Sequence, residues 1–351
     1  MEIVRQIGEL ELLIETSDPQ SIFLPEDVID QETGSSDSPM LTRRQILKLL
    51  SNGDTYRPLS LTWEMLDKCN FSCPFCYIAG HSRNRIIRFT EIKSHLSDLV
   101  EEGLLFCTLS GGEATMHPDF SKIYTFLKEN GVIVRVFTNG FHITDALYNL
   151  WKIYPPSEVQ VSIYTLDNEK LRKLFGVKHE YGASKVMQNV LKLKEAKVNV
   201  TCKTFINSLT QVDAISIIEW CRENEIEHFS SSELTDAYDG SNLTGFAIPE
   251  TTAPSLPESP ICFPCGTKNY GCALSSAFEI FPCLAIQLKD CRFDLRTLGV
   301  KESITQMKAF VRKFQNSKIR GSCKTGKCAT CIAFAKPVRD KYGTIIHFAH
   351  P

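Results

Sequence analysis

From residue 59 to residue 231 the chain repeats one rhythm: a short strand-like run, then a stretch with a helical apolar face. "LSLTWEML" (59–66) alternates in the manner of a strand. "FTEIKSHLSDLVEEG" follows, with Ile92, Leu96, Leu99 and Val100 on one helical face and Gly103 as its stop. The strand-like runs "LLFCTLSGG", "VIVRVFTNG", "EVQVSIYT", "VNVTCKTFI" and "EHFSSSE" come next, separated by amphipathic stretches such as "HPDFSKIYTFLKENG" and "GASKVMQNVLKLKEAK". Strands and helices alternating at this spacing predict a parallel sheet, closed or partly closed into a barrel. Ligand chemistry in such a barrel sits at the C-terminal ends of the strands.

The fold class expected is therefore α/β, a partial (β/α)6 TIM-like barrel. At the end of its first strand stands "KCNFSCPFCY" (68–77), with three cysteines in eight positions. "SGGE" closes the second strand, "TNG" the third and "SIYT" the fourth, so four candidate elements converge on one rim. An odd number of thiols cannot all pair as disulfides. A closed zinc site needs four ligands and would have to recruit His81. A cubane iron–sulfur cluster takes four thiolates, and three leave one iron open to an external ligand.

Composition supports metal or redox chemistry over disulfides. The chain of 351 residues has a net charge of −2, 43% hydrophobic residues and 14 cysteines. The balanced charge gives no bulk pull toward nucleic acid or anionic lipid. No apolar run suits a membrane span, and "MEIVRQIGELELLIE" lacks a signal-peptide core, so a cytoplasmic location is expected. Clustered cysteines in a reducing compartment bind metal more often than they form disulfides. Three lie at 69–76; Cys107, Cys202 and Cys221 are scattered; eight fall between Cys262 and Cys331. Residues 9–37 hold nine acidic residues and no basic one; "PEDVIDQETGSSDSP" (25–39), which overlaps that span, reads as a solvated, mobile lead-in, and "TRRQILKLL" (42–50) as a short amphipathic helix. From 245 a Pro, Ser and Thr-rich linker leads to the cysteine-rich tail. Three regions result: an N-terminal extension (1–58), the barrel (59–245) and a small cysteine-rich C-terminal domain (246–351).

The C-x3-C-x2-C spacing after a first strand, with Phe75 before the third cysteine, resembles the radical S-adenosylmethionine (SAM) superfamily over about residues 59–230. That resemblance implies a 4Fe–4S cluster on Cys69, Cys73 and Cys76, with SAM chelating the open iron. A low-potential electron then yields a 5′-deoxyadenosyl radical that abstracts a hydrogen atom. Gly111 and Gly112 match the family's glycine-rich element, where the backbone approaches the methionyl part. Glu113 matches the acceptor for the SAM ammonium. Ser162 resembles the residue that meets the ribose or carboxylate, and Lys203 the cation for the SAM carboxylate. Phe75, Tyr77 and Asn139 complete the cofactor-binding set. Strand alternation puts Gln160, Ser162 and Tyr164 on one face, and Thr201, Lys203 and Phe205 on one face, with Cys202 turned to the helices. Cys107, Cys202 and Cys221 read as small buried hydrophobes.

"CGTKNYGCALSSAFEIFPC" (265–283) resembles the opening of a SPASM or twitch domain, with Phe278 where the family has glycine. "C-x4-C-x2-C" (323–331) departs from the family's second half. The resemblance implies one or two auxiliary 4Fe–4S clusters. Cys265, Cys272, Cys283 and one of Cys323, Cys328 and Cys331 would hold the first. Cys291, the rest of that group and Cys262 would hold the second. Structural zinc sites are the alternative. Relatives of this type mostly modify peptides or proteins. The expected partners are a precursor peptide, an electron donor such as flavodoxin or ferredoxin, and a separate leader-binding protein, with no nucleic acid and no membrane. A small-molecule substrate, a protein residue (as in sulfatase maturation) and a non-catalytic iron–sulfur or zinc scaffold are the competing readings.

Overall fold

The computed structural model describes residues 57–78, 84–232, 237–238, 241–248, 270–284, 286 and 289–315, and the strands at 2–7, 10–15, 22–23, 336–339 and 345–349. The expected helix at 42–50, His81, and Cys262, Cys265, Cys323, Cys328 and Cys331 lie outside those residues.

Three antiparallel strands come first: β1 (Glu2–Ile7), β2 (Leu10–Glu15) and β3 (Ile22–Phe23). β2 and β3 fall inside the acidic span 9–37 but before the segment 25–39 expected to be mobile, which lies outside the described residues. There the period-two placing of Leu10, Leu12 and Ile14 prevails over the charge count. On β1, Ile3, Arg5 and Ile7 share one face and meet the barrel at its helix-to-strand turns. A side chain at Gly103 would touch Ile7 at 3.3 Å, and one at Gly131 would meet Arg5 at 2.7 Å. The buried Arg5 guanidinium donates to the carbonyls of Leu104 and Val100, the latter at 2.7 Å. These turns feed the N-terminal ends of barrel strands, so the extension packs at the end opposite the cysteines.

The barrel consists of β4 (Ser60–Glu64), β5 (Phe106–Ser110), β6 (Ile133–Thr138), β7 (Glu158–Ser162), β8 (Val200–Phe205) and β9 (Glu227–Ser231), parallel and adjacent in chain order. Helices α1 (Phe89–Glu101), α2 (Phe120–Glu129), α3 (Asp145–Ile153), α4 (Asn168–Phe175), α5 (Gly182–Glu195) and α6 (Ala214–Glu223) connect them. Local chemistry sets their ends: Asp167 caps α4 by accepting from Lys170 N–H at 2.7 Å, and Gly176 stops it at φ +64°. Register puts Leu61, Cys107 and Val134 in one row and Trp63, Leu109 and Val136 in the next, all buried under the helices. The intervening residues face the barrel interior.

The cysteine-rich region continues this same sheet. β10 (Gly271–Leu274) pairs parallel to β4, then β11 (Glu279–Phe281) and β12 (Phe293–Asp294) extend it antiparallel, giving the order β12-β11-β10-β4-β5-β6-β7-β8-β9. The sheet thus crosses the boundary expected near residue 245. α7 (Leu295–Gln315) follows, and β13 (Lys336–Arg339) pairs with β14 (Ile345–Ala349). Phe278, at the family's glycine position, adopts φ +65° in the β10–β11 turn. A non-glycine residue thus occupies the left-handed region here, and its buried ring lies under the Arg296 guanidinium at 5.2 Å.

A buried polar knot joins β4 to the C-terminal segment. The Glu64 carboxylate accepts from Tyr238 Oη at 3.0 and 3.1 Å, and the Arg292 guanidinium lies over the rings of Tyr238 (5.1 Å) and Phe281 (4.2 Å). Burial lifts the Glu64 carboxyl to about 7, against bonds from Tyr77 and Tyr238 that pull it down. A carboxyl raised in the folded state keeps its proton where the unfolded chain has lost it. Its contribution is complete below the unfolded value of 4.5 and is lost as pH rises to about 7. The loss is on the order of 3 kcal/mol. Melting temperatures of the anaerobic holoprotein should therefore fall across this window relative to Glu64→Gln. Parallel curves for the two proteins would contradict the assignment.

Candidate functional site

The cysteine loop leaves β4 and is fixed from two sides. On one side lies the turn after β5. Gly112 N–H donates to Leu66 O at 2.8 Å and Glu113 N–H to Lys68 O at 2.9 Å. A Cβ on Gly111 (φ +124°) would lie 2.5 Å from Leu66 O, and one on Gly112 would lie 2.6 Å from Asp67 O and closer still to Lys68 O. The two glycines are thus needed because two backbones touch there. The sequence reading assigned that room to the methionyl part of a ligand; the structure fills it with residues 66–68.

Glu113 completes this clasp. Its Oε1 accepts from Thr115 N–H (3.1 Å), Thr115 Oγ1 (2.5 Å) and Thr138 Oγ1 (2.6 Å), and Oε2 accepts from Asn139 N–H at 2.7 Å. Four protein donors occupy a carboxylate with about four lone-pair sites. The side chain is buried and is absent from the cavity lining. The expected acceptor for an ammonium group is here a tie between the ends of β5 and β6. Thr115 in "GGEAT" and Thr138 in "TNG" were the signals for this tie, and the sequence reading passed over both.

On the other side the loop is anchored by Phe75. Its buried ring packs against Tyr164 (5.3 Å), Phe205 (5.4 Å), Phe175 (6.0 Å) and Phe246 (6.3 Å), and Tyr164 stacks on Phe175 at 5.1 Å. Ser72 N–H donates to Phe175 O at 2.7 Å. Phe75 acts first as a packing anchor, since aromatic residues from α4, β8 and the segment just after β7 meet it.

Between these supports lies a cavity of about 510 Å³. Cys69, Cys73 and Cys76 line it together with Phe75, Tyr77, Gly111, Gly112, Asn139, Ser162 and Lys203. The structure therefore gathers the sequence-derived candidates of the barrel at one place, Glu113 excepted. Asp67, Phe71, Phe137, Gln160 and Cys283 join the lining without having been singled out for it. Ser162 and Lys203 are direct register partners on β7 and β8. Phe71 N–H points at Cys69 Sγ (3.3 Å), and Asn139 Nδ2 lies 3.7 Å from it. Burial and the nearby Glu113 charge push the Cys69 thiol up to about 12, while Phe71 N–H and Asn139 act the other way. Such a thiol becomes a thiolate when a metal takes the place of its proton.

Residues 63–226 match the radical SAM superfamily. The chain carries a radical SAM domain. It is 28% identical over 180 residues to the sporulation killing factor maturation protein SkfB of Bacillus subtilis (strain 168), covering 50% of this chain and 43% of SkfB. It is 22% identical over 215 residues to the GTP 3′,8-cyclase of Actinobacillus pleuropneumoniae serotype 5b (strain L20), covering 58% and 62%. The chain spans about half the length of the curated relatives it matches. In three dimensions it resembles Streptococcus suis SuiB with a TM-score of 0.61 at 15% identity, over 90% of both chains, which shows a shared fold.

The radical SAM family implies a 4Fe–4S cluster and SAM, and the donor set fits. Among the described residues no three His, Cys, Asp or Glu are grouped for a single metal ion. Cys69, Cys73 and Cys76 lie on one loop and line one cavity, a donor set that would suit a cubane with each thiolate on a different iron.

The remaining cysteines divide. Cys283 lines the cavity, and Cys291, buried, lies within electrostatic reach of it. Cys272 is in register with Leu61 and, through it, with Cys107, on the helix-covered face of the sheet. That placement is at odds with the expected sharing of one cluster by Cys272 and Cys283, while the other expected ligands, Cys262, Cys265, Cys323, Cys328 and Cys331, lie outside the described residues. Cys202 on β8 and Cys221 of α6 lie next to each other, and both are fully buried. This contact between distant positions had no sequence signal.

Replacing Gly112 with alanine should force the cysteine loop off the β5 turn and cost about 3 kcal/mol. Iron bound per chain after anaerobic reconstitution should fall with it. Gly245→Ala, where an added Cβ meets nothing within 4 Å, should leave both unchanged. Full iron loading in Gly112→Ala would show that the close approach is dispensable.

Proposed function

We propose that this chain is a radical SAM maturase that abstracts a hydrogen atom from a residue of a ribosomally made precursor peptide. Cys69, Cys73 and Cys76 hold the cluster, and SAM occupies the cavity beside Asn139, Ser162 and Lys203. The reduced cluster supplies the electron that cleaves the SAM sulfonium. Around it the protein's own groups position and shield. Lys203 offers a charge-assisted contact to the SAM carboxylate. Phe75 and its aromatic neighbours keep water from the loop, and the Phe71 N–H and Asn139 amide support the Cys69 sulfur.

The observation that favours a peptide over a nucleotide is the charge of the cavity. Lys203 is the one Lys or Arg among its described lining residues. A nucleoside triphosphate calls for several Arg or Lys donors. The similarity to SkfB, named as a maturation protein, and the fold shared with SuiB, which has been captured with its precursor peptide SuiA, support the same reading. Auxiliary 4Fe–4S clusters in 246–351, with Cys283 and Cys291 among their ligands, would assist electron transfer. A cytoplasmic setting with a flavodoxin or ferredoxin donor, and a separate leader-binding protein, belongs to this proposal. No helix among the described residues is long and apolar enough to cross a membrane.

Anaerobically reconstituted protein given SAM and dithionite should release 5′-deoxyadenosine. Cys69→Ala/Cys73→Ala/Cys76→Ala should lose about four irons and all of that product. Addition of precursor peptide should raise turnover and change the peptide's mass, whereas GTP should do neither. Turnover and conversion of GTP would replace the peptide reading with a nucleotide one.

A further inference from the structure

The cavity is layered along the strands. Ser162 and Lys203, register partners on β7 and β8, line it near the rim. Two residues earlier on β7 comes Gln160, which faces the same interior and also lines the cavity. Register places it between Phe137 of β6 and Thr201 of β8. At about 3.3 Å of rise per residue, this layer lies about 7 Å deeper in the barrel than the layer of Ser162 and Lys203. A third layer forms the floor, where Glu158 pairs with Arg135 at 2.6 Å and accepts from Thr201 Oγ1 at 2.5 Å.

Several polar groups of the lining are already bound within the protein. Asn139 donates to Asn70 Oδ1 at 2.7 Å and accepts from Phe141 N–H at 3.0 Å, Thr138 donates to Glu113 at 2.6 Å, and Asp67 accepts from Ser276 Oγ. Gln160 differs. It is half-buried, and its described bond is a long one, from Nε2 to Glu158 Oε1 at 3.4 Å. A carboxylate in an ion pair only accepts, so the amide turns its NH2 group toward Glu158. The Gln160 carbonyl oxygen is left without a partner among the described residues. Its neighbour in this layer is the ring of Phe137, and the cavity around it is mostly aromatic.

We infer that Gln160 positions the substrate in this cavity, its carbonyl oxygen accepting from a main-chain amide N–H of the peptide. The inference rests on the proposed function, since SAM held by the rim layer leaves the deeper layer to the substrate. An acceptor in a partly buried apolar site gains more from a donor than it would in water, and costs more when left unpaired. The Arg135–Glu158 pair places no net charge beneath Gln160, so a neutral N–H fits there better than an ammonium or a phosphate. A bond to the main chain fixes the reacting residue whatever its side chain is, among aromatic walls that exclude water. It also bars proline from the contacted position, because proline has no N–H.

The test uses SAM-loaded holoenzyme and acetyl-alanine N-methylamide, a probe with two amide N–H groups. Its two ester analogues, each with one N–H replaced by oxygen, are compared with it by saturation-transfer NMR titration. In wild type one of the esters should bind about tenfold more weakly than the amide, the worth of one hydrogen bond in a partly buried site. Gln160→Leu should bring the amide down to the level of that ester and abolish the difference between them. Gln160→Met, a second apolar substitution of similar volume, should do the same. Iron bound per chain and the dissociation constant for SAM should stay as in wild type. Equal binding of all three probes by wild type, no binding of the amide, or a preference for the amide that survives both substitutions would overturn the assignment. So would a loss of SAM affinity in the variants, which would give Gln160 to the adenine amino group instead. These titrations do not use 5′-deoxyadenosine, so a failure of the proposed function shows separately, as absence of that product or as conversion of GTP.

Discussion

Two loops of this barrel run so close together that no side chain fits between them. The turn after β5 lies against the backbone of residues 66–68, and only glycine at 111 and 112 permits it. Behind that contact, one buried carboxylate, Glu113, collects donors from its own turn and from the end of β6. The cysteine loop is thereby held by backbone hydrogen bonds to a turn that is itself tied to the end of β6. Three thiols on an otherwise irregular loop present a fixed donor set only because of this clasp. The aromatic packing of Phe75 serves the same end from the opposite side.

The barrel divides its labour along its axis. At the C-terminal ends of the strands lie the cavity, the thiols and the polar residues of β7 and β8. Toward the other end the polar contacts are structural. Arg135 pairs with Glu158 at 2.6 Å, Thr201 donates to the same carboxylate at 2.5 Å, and Arg5 secures the N-terminal strands to the turns that feed the barrel. The C-terminal hairpin is added beside β4, the strand that launches the cysteine loop. The knot around Glu64 fastens it there, so Cys283 reaches the cavity on an extension of the same sheet.

What could be read from the residues was local chemistry. The alternation of strands and helices, the thiol spacing and the polar face of "VQVSIYT" each declare themselves within a few residues, and they locate the barrel and its rim. What could not be read depends on partners distant in sequence. The glycines of "SGGE" signalled a close approach, but only the fold says that the approaching group is Lys68 and its neighbours. Glu113 looked available because its four donors come from Thr115, Thr138 and Asn139, which no spacing rule links. Cys272 resembled a ligand in its motif, yet its register with Leu61 turns it to the helix-covered face. In the N-terminal extension the density of acidic residues masked a strand pattern that period-two reading would have found. The left-handed backbone at Phe278 likewise carried no signal in the residue itself, since a phenylalanine gives no hint of a positive φ.

If the clasped cysteine loop carries a cubane with one iron open to SAM, as proposed, the reduced cluster must respond to SAM. Electron paramagnetic resonance of the dithionite-reduced holoprotein, recorded with and without SAM, addresses it directly. A reduced-cluster component should appear whose g-values shift when SAM is added, and that component should disappear in Cys76→Ala while any auxiliary-cluster signal stays. The absence of any SAM-sensitive component, or its survival after the loss of Cys76, would contradict this.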